Sequence, residues 1–428
     1  MYLCLCCPFA KGIRASICKS RIDFTFMKEL TIKNFGPIKT ASLKLSRINV
    51  VIGPQSSGKS CVLKLACYCT WVEKRIEITQ NPEFFNQDEK FVNELLRFHK
   101  LQGYAKDDFQ LEYESDNMHF SYEHHCKRFS FKWKKQWNYK RSKVTYIPAE
   151  RNLVAAIPNW FEVRMADDNI RSFMSDWETA RRATREALPV LNLNVSYRYD
   201  PATHSDKVMV SEDQELDFTN TSSGLQSLIP LFVHLHYISS QIGIRAANES
   251  IEQSRENENI KALIDAYLES KHPYPAPSVV AEDLGGDTMP DKTSMNRFFS
   301  ASTHLSLELN NPELYAEMHR LYQNYTVNQF CDIFLEEPEE NLFPPTQSRL
   351  TDWLLDMAQG EQACHLFVAT HSPYVVTSFL EKKNVDLALF FVQNQEGGNS
   401  IVKQASAEEI QEIYAYGVDV FFNIESFE

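Results

Sequence analysis

The 428-residue chain has no apolar stretch of the ~18 residues that cross a bilayer, which excludes a helical membrane protein and points to a soluble, cytoplasmic one. Its ten cysteines have no repeated short-loop spacing, which excludes a disulfide scaffold. Cys61, Cys67, Cys69, Cys331 and Cys364 sit within hydrophobic sequence, as reduced intracellular thiols do. No internal repeat and no sustained heptad pattern appears, so a long coiled-coil arm is not expected. Positive charge is scarce in the second half. Residues 211–428 hold 11 Lys+Arg and 34 Asp+Glu, giving 11 − 34 = −23, whereas residues 1–210 carry 33 − 23 = +10. The net charge of −13 argues against a general nucleic-acid coat, while the asymmetry permits a local basic surface.

What is present is ordinary globular composition, 43% hydrophobic and 24% charged, long enough for two or three domain-sized units or one α/β body with an insertion. The first 26 residues stand apart, with four cysteines (Cys4, Cys6, Cys7, Cys18) but neither a secretory pattern nor zinc-ligand spacing. They read as a poorly ordered extension ahead of a functional start near Met27.

Residues 28–52 alternate apolar and polar positions around Gly36-Pro37 and end in an apolar burst, predicting two strands and then a central one. CVLKLACYCTWVEKR suits a helix, and three alternating segments within 107–135 predict an antiparallel hairpin sheet. VTYIPAERN, 144–152, reads as a strand entering a loop. From about 160 to 325 the chain reads as mostly helical: Asp176 to Leu188 is rich in helix formers, and a long helix follows Gly224. Four prolines and a Gly-Gly pair make 271–292 an expected mobile loop. Strand signals return at 332–335, 365–372 and 388–394.

Between the central strand and its helix lies GPQSSGKS, 53–60, a match to G-x-x-x-x-G-K-[ST] in the context that phosphate loop requires. Its glycines let backbone N–H groups curl toward phosphate, the helix N-terminus adds positive partial charge, Lys59 reaches the β and γ phosphates, and Ser60 ligates magnesium. Gly53, Pro54, Gln55, Ser56, Ser57, Gly58, Lys59, Ser60 and the following Cys61 are the expected ATP-binding residues; the plain alternative is a chance glycine turn.

FLEEPEENLFP, 334–344, turns abruptly from apolar to acidic. Glu336 ends the strand where an acid can hold Mg²⁺, and Glu337 is then placed to polarise the attacking water. The alternative is an acidic first helical turn with Pro338 early and Glu339 and Glu340 favouring the dipole; it suits those two and leaves Glu336 and Glu337 unexplained. TSSGLQ, 221–226, is either a second anion site at a helix N-terminus or an ordinary capped helix. In ATHSP, 369–373, His371 is either a γ-phosphate contact or a structural strand-end histidine.

Taken in order, these four motifs resemble ATP-binding-cassette heads, and IKNFGPIK, EEPEENLFP and ATHSPYVV are most like the soluble RecF, SMC and overcoming-lysogenization-defect branch, which includes abortive-infection AAA-type ATPases. The resemblance covers most of residues 27–395. It implies an α/β P-loop head with a mixed sheet, an antiparallel β subdomain and a helical lobe: lobe I over 27–150, lobe II over 151–325, lobe I completed over 326–428. It makes 53–60 Walker A, Ser222, Ser223, Gly224 and Gln226 a signature acting in trans, Glu336 and Glu337 the Walker B pair, with Glu336 and Ser60 the Mg²⁺ ligands and Glu337 polarising the attacking water, and His371 the switch histidine, with ATP held between paired heads. Three features depart from the pattern. Leu225 stands where glycine is frequent, Glu336 replaces an aspartate, and Glu150 or Arg151 stands where a lobe-linking glutamine is usual.

Residues 127–143 contain eight Lys+Arg and no acid, interleaved with Phe129, Phe131, Trp133, Trp137 and Tyr139. Alternation puts the first three aromatics on one strand face and Lys132 and Lys134 on the other. Either this is a strand with a solvated lysine face, or Lys127, Arg128, Lys132, Lys134, Lys135, Lys140 and Arg141 contact DNA or RNA phosphates, with Arg181, Arg182 and Arg185 extending the surface. Two functions follow from the resemblance: a defence ATPase whose head dimerisation controls an effector, a nuclease or toxin, or a RecF-like DNA-binding ATPase. A detached transporter subunit fits the motif style less well. Fewer than sixty residues after His371 leave no room for an appended TOPRIM nuclease domain.

Overall fold

The computed structural model describes residues 28–211, 213–244, 251–271, 312–360, 364–381, 386–395 and 398–416. The extension 1–26 and all of the loop 271–292 beyond Lys271 lie outside them. The chain is an α/β protein built on one large mixed sheet, with a separate four-stranded antiparallel sheet.

The expected opening is found: β1 (Lys28–Phe35) and β2 (Ile38–Leu45) form a hairpin, and the wholly buried β3 (Ile48–Ile52) leads into α1 (Lys59–Thr79). After α2 (Lys90–Phe98) come β4 (Ala105–Glu114), β5 (Met118–Glu123) and β6 (Arg128–Trp133), the three alternating segments, paired antiparallel onto β1. Next follow β7 (Ser142–Ile147), a single turn α3 (Leu153–Ala156) and α4 (Asn169–Ala183).

The reading of 160–325 as mostly helical needs correction. The helix expected to reach Leu188 stops at Ala183, and β8 (Leu188–Pro189), β9 (Ser196–Asp200), β10 (Ser205–Ser211) and β11 (Gln214–Asp217) form the small sheet. Tyr197 and Tyr199 on β9, like Asp206 and Val208 on β10, are buried at every second position, a period of two masked by the shortness of the strands. The long helix is α5 (Ser223–Ser240), followed by α6 (Ile251–Lys271) and α7 (Pro312–Thr326).

The remaining elements return to the large sheet: β12 (Phe330–Glu336), α8 (Pro344–Gln359), β13 (His365–Thr370), α9 (Pro373–Glu381), β14 (Leu387–Asn394), β15 (Ser400–Gln404) and α10 (Ala407–Tyr416). The strand order is β6-β5-β4-β1-β2-β15-β14-β3-β13-β12-β7. From β14 to β7 the pairing is parallel, and from β6 to β2 it is antiparallel. The strand β15, not anticipated from sequence, joins the halves by running parallel to β2 and antiparallel to β14.

Central strands buried on both faces read as apolar runs, and their alternation separates two cores. Ile48, Val50, Ile52, Ile333 and Leu335 face one core with α4 and α5, whereas Val51, Phe334 and Phe367 face the other with α1. Phe334 and Phe367 stack with centroids 4.3 Å apart. No helix among the described residues is long and apolar enough to cross a membrane.

Candidate functional site

In parallel sheets flanked by helices, ligands bind beyond the carboxyl ends of the strands, and here all four motifs are placed around that edge or beside it. Ile52 pairs with Thr370, and Val51 faces Ala369, which in turn faces Glu336. The loop after β3, the acids after β12 and His371 after β13 therefore leave three adjacent strands in the same direction.

The loop from Gly53 to Gly58 has the conformation of a phosphate cradle. A Cβ on Gly53 would lie 2.4 Å from the Val392 carbonyl oxygen of β14, and one on Gly58 2.8 Å from Pro37. Gly58 also has φ 108°, so side chains are excluded at both positions. The N-terminus of α1 has no side-chain cap and no acid in its first turn, and the buried Ser57 hydroxyl has no partner. These unmet donors and the helix dipole suit an anion. Lys59 donates to the carbonyls of Gly53 (2.9 Å) and Pro54 (2.7 Å). Burial lowers its ammonium to about 8 against the pull of Glu337 and Glu339. Pro54, Gln55 and Ser56 are exposed, Ser60 is half-buried and Cys61 is buried behind the loop.

Glu336 is buried at the end of β12. One carboxylate oxygen accepts from the Ala149 N–H at 3.4 Å, and the other has no partner. The Tyr146 hydroxyl beside it, pushed up chiefly by burial and then by Glu336, approaches that carboxylate without completing a hydrogen bond of good geometry. A buried carboxylate oxygen left bare is costly unless a cation meets it, so this residue type and setting fit Mg²⁺. Glu337 has φ 43°, a left-handed conformation that is strained for a residue with a Cβ. Its N–H donates to the Ala369 carbonyl (2.8 Å), and its carboxylate lies 3.5 Å from His371 Nε2. His371 holds the Glu337 carboxyl below the usual range; burial opposes, and Lys59 and Arg151 assist.

The structure corrects the helix-turn reading of Glu339 and Glu340. The helix begins only at Pro344, six residues beyond Pro338, and has no acid in its first turn. Glu339 instead accepts from the His371 backbone N–H (2.6 Å), and Glu340 lies 3.6 Å from Arg151. Both acids brace the turn rather than the helix dipole.

Arg151, weighed equally with Glu150 in the sequence, is the unforeseen centre of the site. It is buried, and its guanidinium donates to the carbonyls of Ser227 on α5 (3.0 Å), Glu336 (2.9 Å), Glu337 (2.8 Å) and Pro338 (3.5 Å). Burial lowers its pKa, and Glu340, Glu339, Glu337 and Glu336 oppose that shift. A planar fork with five donors can tie two segments together in this way; an ammonium cannot. The available signal was one cation beside Glu150, between a strand and a loop, in YIPAERN, 146–152.

In the serine-glycine motif, Ser222 caps α5 by accepting from the Leu225 N–H (3.4 Å). Ser222 and Ser223 are exposed. A Cβ on Gly224 would come within 3.0 Å of the Asn341 carbonyl oxygen, and the Asn341 amide donates to Ser227 Oγ at 2.9 Å, so α5 starts against the turn that carries Glu337. Gln226 is turned inward, donating to the Thr219 and Thr221 carbonyls.

The basic segment is partly dispersed. Arg141 is buried, bonded to Glu256 and Asn257 of α6 and to the Tyr325 carbonyl, and is not on a surface. Lys127 pairs with Glu89 and Lys134 with Glu114; Lys140 is half-buried. Arg128, Lys132 and Lys135 are exposed at the edge of the sheet or just beyond it. Of the α4 arginines, Arg181 is buried against Glu178 and Asp206, Arg182 pairs with Glu178, and Arg185 lies beyond the helix end.

No protein-family model matches the chain, and no curated protein matches it. Among solved structures, an SMC head bound to the C-winged helix domain of ScpA aligns over 91% of this chain and 100% of its own, at 12% identity and a TM-score of 0.40. The SMC head domain from Thermotoga maritima aligns over 89% and 99%, at 11% identity and 0.38. The recombination mediator protein RecF with ATP, of the RecFOR pathway, aligns over 89% and 98%, at 10% identity and 0.29.

Proposed function

We propose that the chain is an ABC-type ATPase whose heads pair around ATP and Mg²⁺. The observation that carries this reading is the convergence at one sheet edge of an uncapped phosphate loop, a buried carboxylate with an unmet oxygen, and a Glu337–His371 pair 3.5 Å apart. The loop N–H groups and Lys59 hold the β and γ phosphates, and Ser60 and Glu336 would hold the metal. When bound, Mg²⁺ would supply charge neutralisation for the triphosphate. Glu337, held ionised, orients the attacking water and accepts its proton, while His371 fixes the carboxylate and reaches toward the γ phosphate. The exposed Ser222 and Ser223 N-terminus of a second copy completes the triphosphate site.

Lys59→Ala is expected to weaken ATP binding about 10- to 100-fold, the value of a charge-assisted hydrogen bond to phosphate, as read by equilibrium titration with a fluorescent ATP analogue. Unchanged affinity would remove the loop from the phosphate site. In the wild type, the lowered Lys59 pKa has a defined sign. Below about 8 the ammonium is charged and affinity is level; above it, each pH unit costs up to about tenfold until the pKa of the bound form is reached.

Within this reading, closure of the head pair passes a signal to an effector protein, as in the antiphage ATPases the motifs resemble. The alternative is a RecF/SMC-like role on DNA, which the exposed Arg128, Lys132 and Lys135 favour. Purification of the tagged chain from its native host distinguishes them: a stoichiometric protein partner is expected for the first, and nucleic acid without one for the second.

A further inference from the structure

The turn between β5 and β6 brings together three different metal donors. Glu123, the last residue of β5, together with His125 and Cys126, places a carboxylate oxygen, an imidazole nitrogen and a thiol sulfur within 4.8 Å of one another. The Cys126 thiol donates to Glu123 Oε2 at 3.4 Å, so sulfur already lies against the carboxylate. The ends of the turn are anchored by antiparallel pairing of Glu123 with Arg128 and of the buried Tyr122 with the buried Phe129. His124 faces elsewhere, its Nδ1 3.1 Å from the Tyr122 hydroxyl. Lys127, whose charge would repel a cation, is drawn aside to Glu89 at 2.7 Å. Of the described cysteines, Cys126 is exposed and the other five are buried. Neither the phosphate site nor the edge-strand lysines use these three residues.

We propose that Glu123, His125 and Cys126 form a zinc site with a water in the fourth position. Mg²⁺ and Ca²⁺ take all-oxygen shells, whereas one thiolate, one imidazole and one carboxylate suit the borderline-soft Zn²⁺. Tetrahedral ligands at Zn–S ≈ 2.3 Å and Zn–N or Zn–O ≈ 2.0–2.1 Å stand roughly 3.3–3.7 Å apart, so exposed side chains need to close in by about 1 Å. Binding forms the Zn–Sγ bond and releases the thiol proton to solvent; the thiolate and carboxylate then balance the two positive charges. Six strands separate β6 from β3 in the sheet, so the site works apart from the nucleotide edge.

The test is Co²⁺ and then Zn²⁺ titration of the chelator-treated full chain. The expected result is a thiolate-to-cobalt charge-transfer band with tetrahedral d–d bands, saturating with one ion and bleached by Zn²⁺. Cys126→Ser should remove that increment of the band, and His125→Ala should weaken Zn²⁺ binding at least about tenfold, both with unchanged circular dichroism because the turn is exposed. Cys4, Cys6, Cys7 and Cys18 also carry thiols, so the difference between the wild type and Cys126→Ser is the readout. Equal stoichiometry and equal bands in the two proteins, or no band in the wild type, overturn the proposal; neither result bears on ATP binding.

Discussion

Glu337→Gln is expected to keep ATP bound and to slow its hydrolysis about 100- to 10,000-fold, the range that separates a positioned general base from none. Glutamine preserves size and can still face His371 Nε2, 3.5 Å away in the wild type. It cannot accept the proton of the attacking water. Because the fold retains the loop, Lys59 and Glu336, nucleotide-dependent association should persist and accumulate, visible as a dimer in sedimentation with ATP and a monomer without it. Turnover equal to wild type would remove Glu337 from the water-activating role. Retained affinity with lost turnover separates this variant from Lys59→Ala, where binding itself suffers.

Arg151→Ala should have the largest effect on the folded state, destabilising it by about 3–5 kcal/mol, as other buried charge pairs do when one partner is removed. The loss removes the guanidinium's bonds to the carbonyls of Ser227, Glu336 and Glu337, of which the last keeps the Glu340 N–H at 3.0 Å, and leaves Glu340 without its cation. The left-handed backbone at Glu337 is held in part by the guanidinium, so the turn should relax and turnover should fall beyond what instability explains. Arg151→Lys tests this directly. A lysine keeps the charge and loses the fork, so partial recovery of thermal stability with persistently low turnover is expected in denaturation and ATPase assays. If Arg151→Ala melts like the wild type, the clamp has no energetic role.

Much of the site could be read in the sequence because its parts are local. A phosphate loop is one contiguous run, and the Glu336-Glu337 pair announces itself by following a buried strand. What was not legible came from contacts distant in the chain. Arg151 bonds residues 76 and 185 positions away, and no period or motif records such a partnership. Glu339 and Glu340 looked like dipole-favouring helix residues because composition was right, but Pro344 rather than Pro338 starts the helix and the turn claims both side chains. The small sheet escaped because strands of two to seven residues give too few alternations to outweigh helix formers upstream. Arg141 and Arg181 read as surface charge, since sequence shows a cation but not the carboxylate that buries it.

The position of β3 bears on how the molecule is made. Its two neighbours, β13 and β14, begin at His365 and Leu387, more than three hundred residues downstream. During synthesis the nucleotide loop must wait, its strand unpaired on both sides, until the ribosome has released the more than three hundred residues that separate β3 from these partners. Nascent chains and C-terminal truncations should therefore be blind to ATP and in need of chaperone shielding.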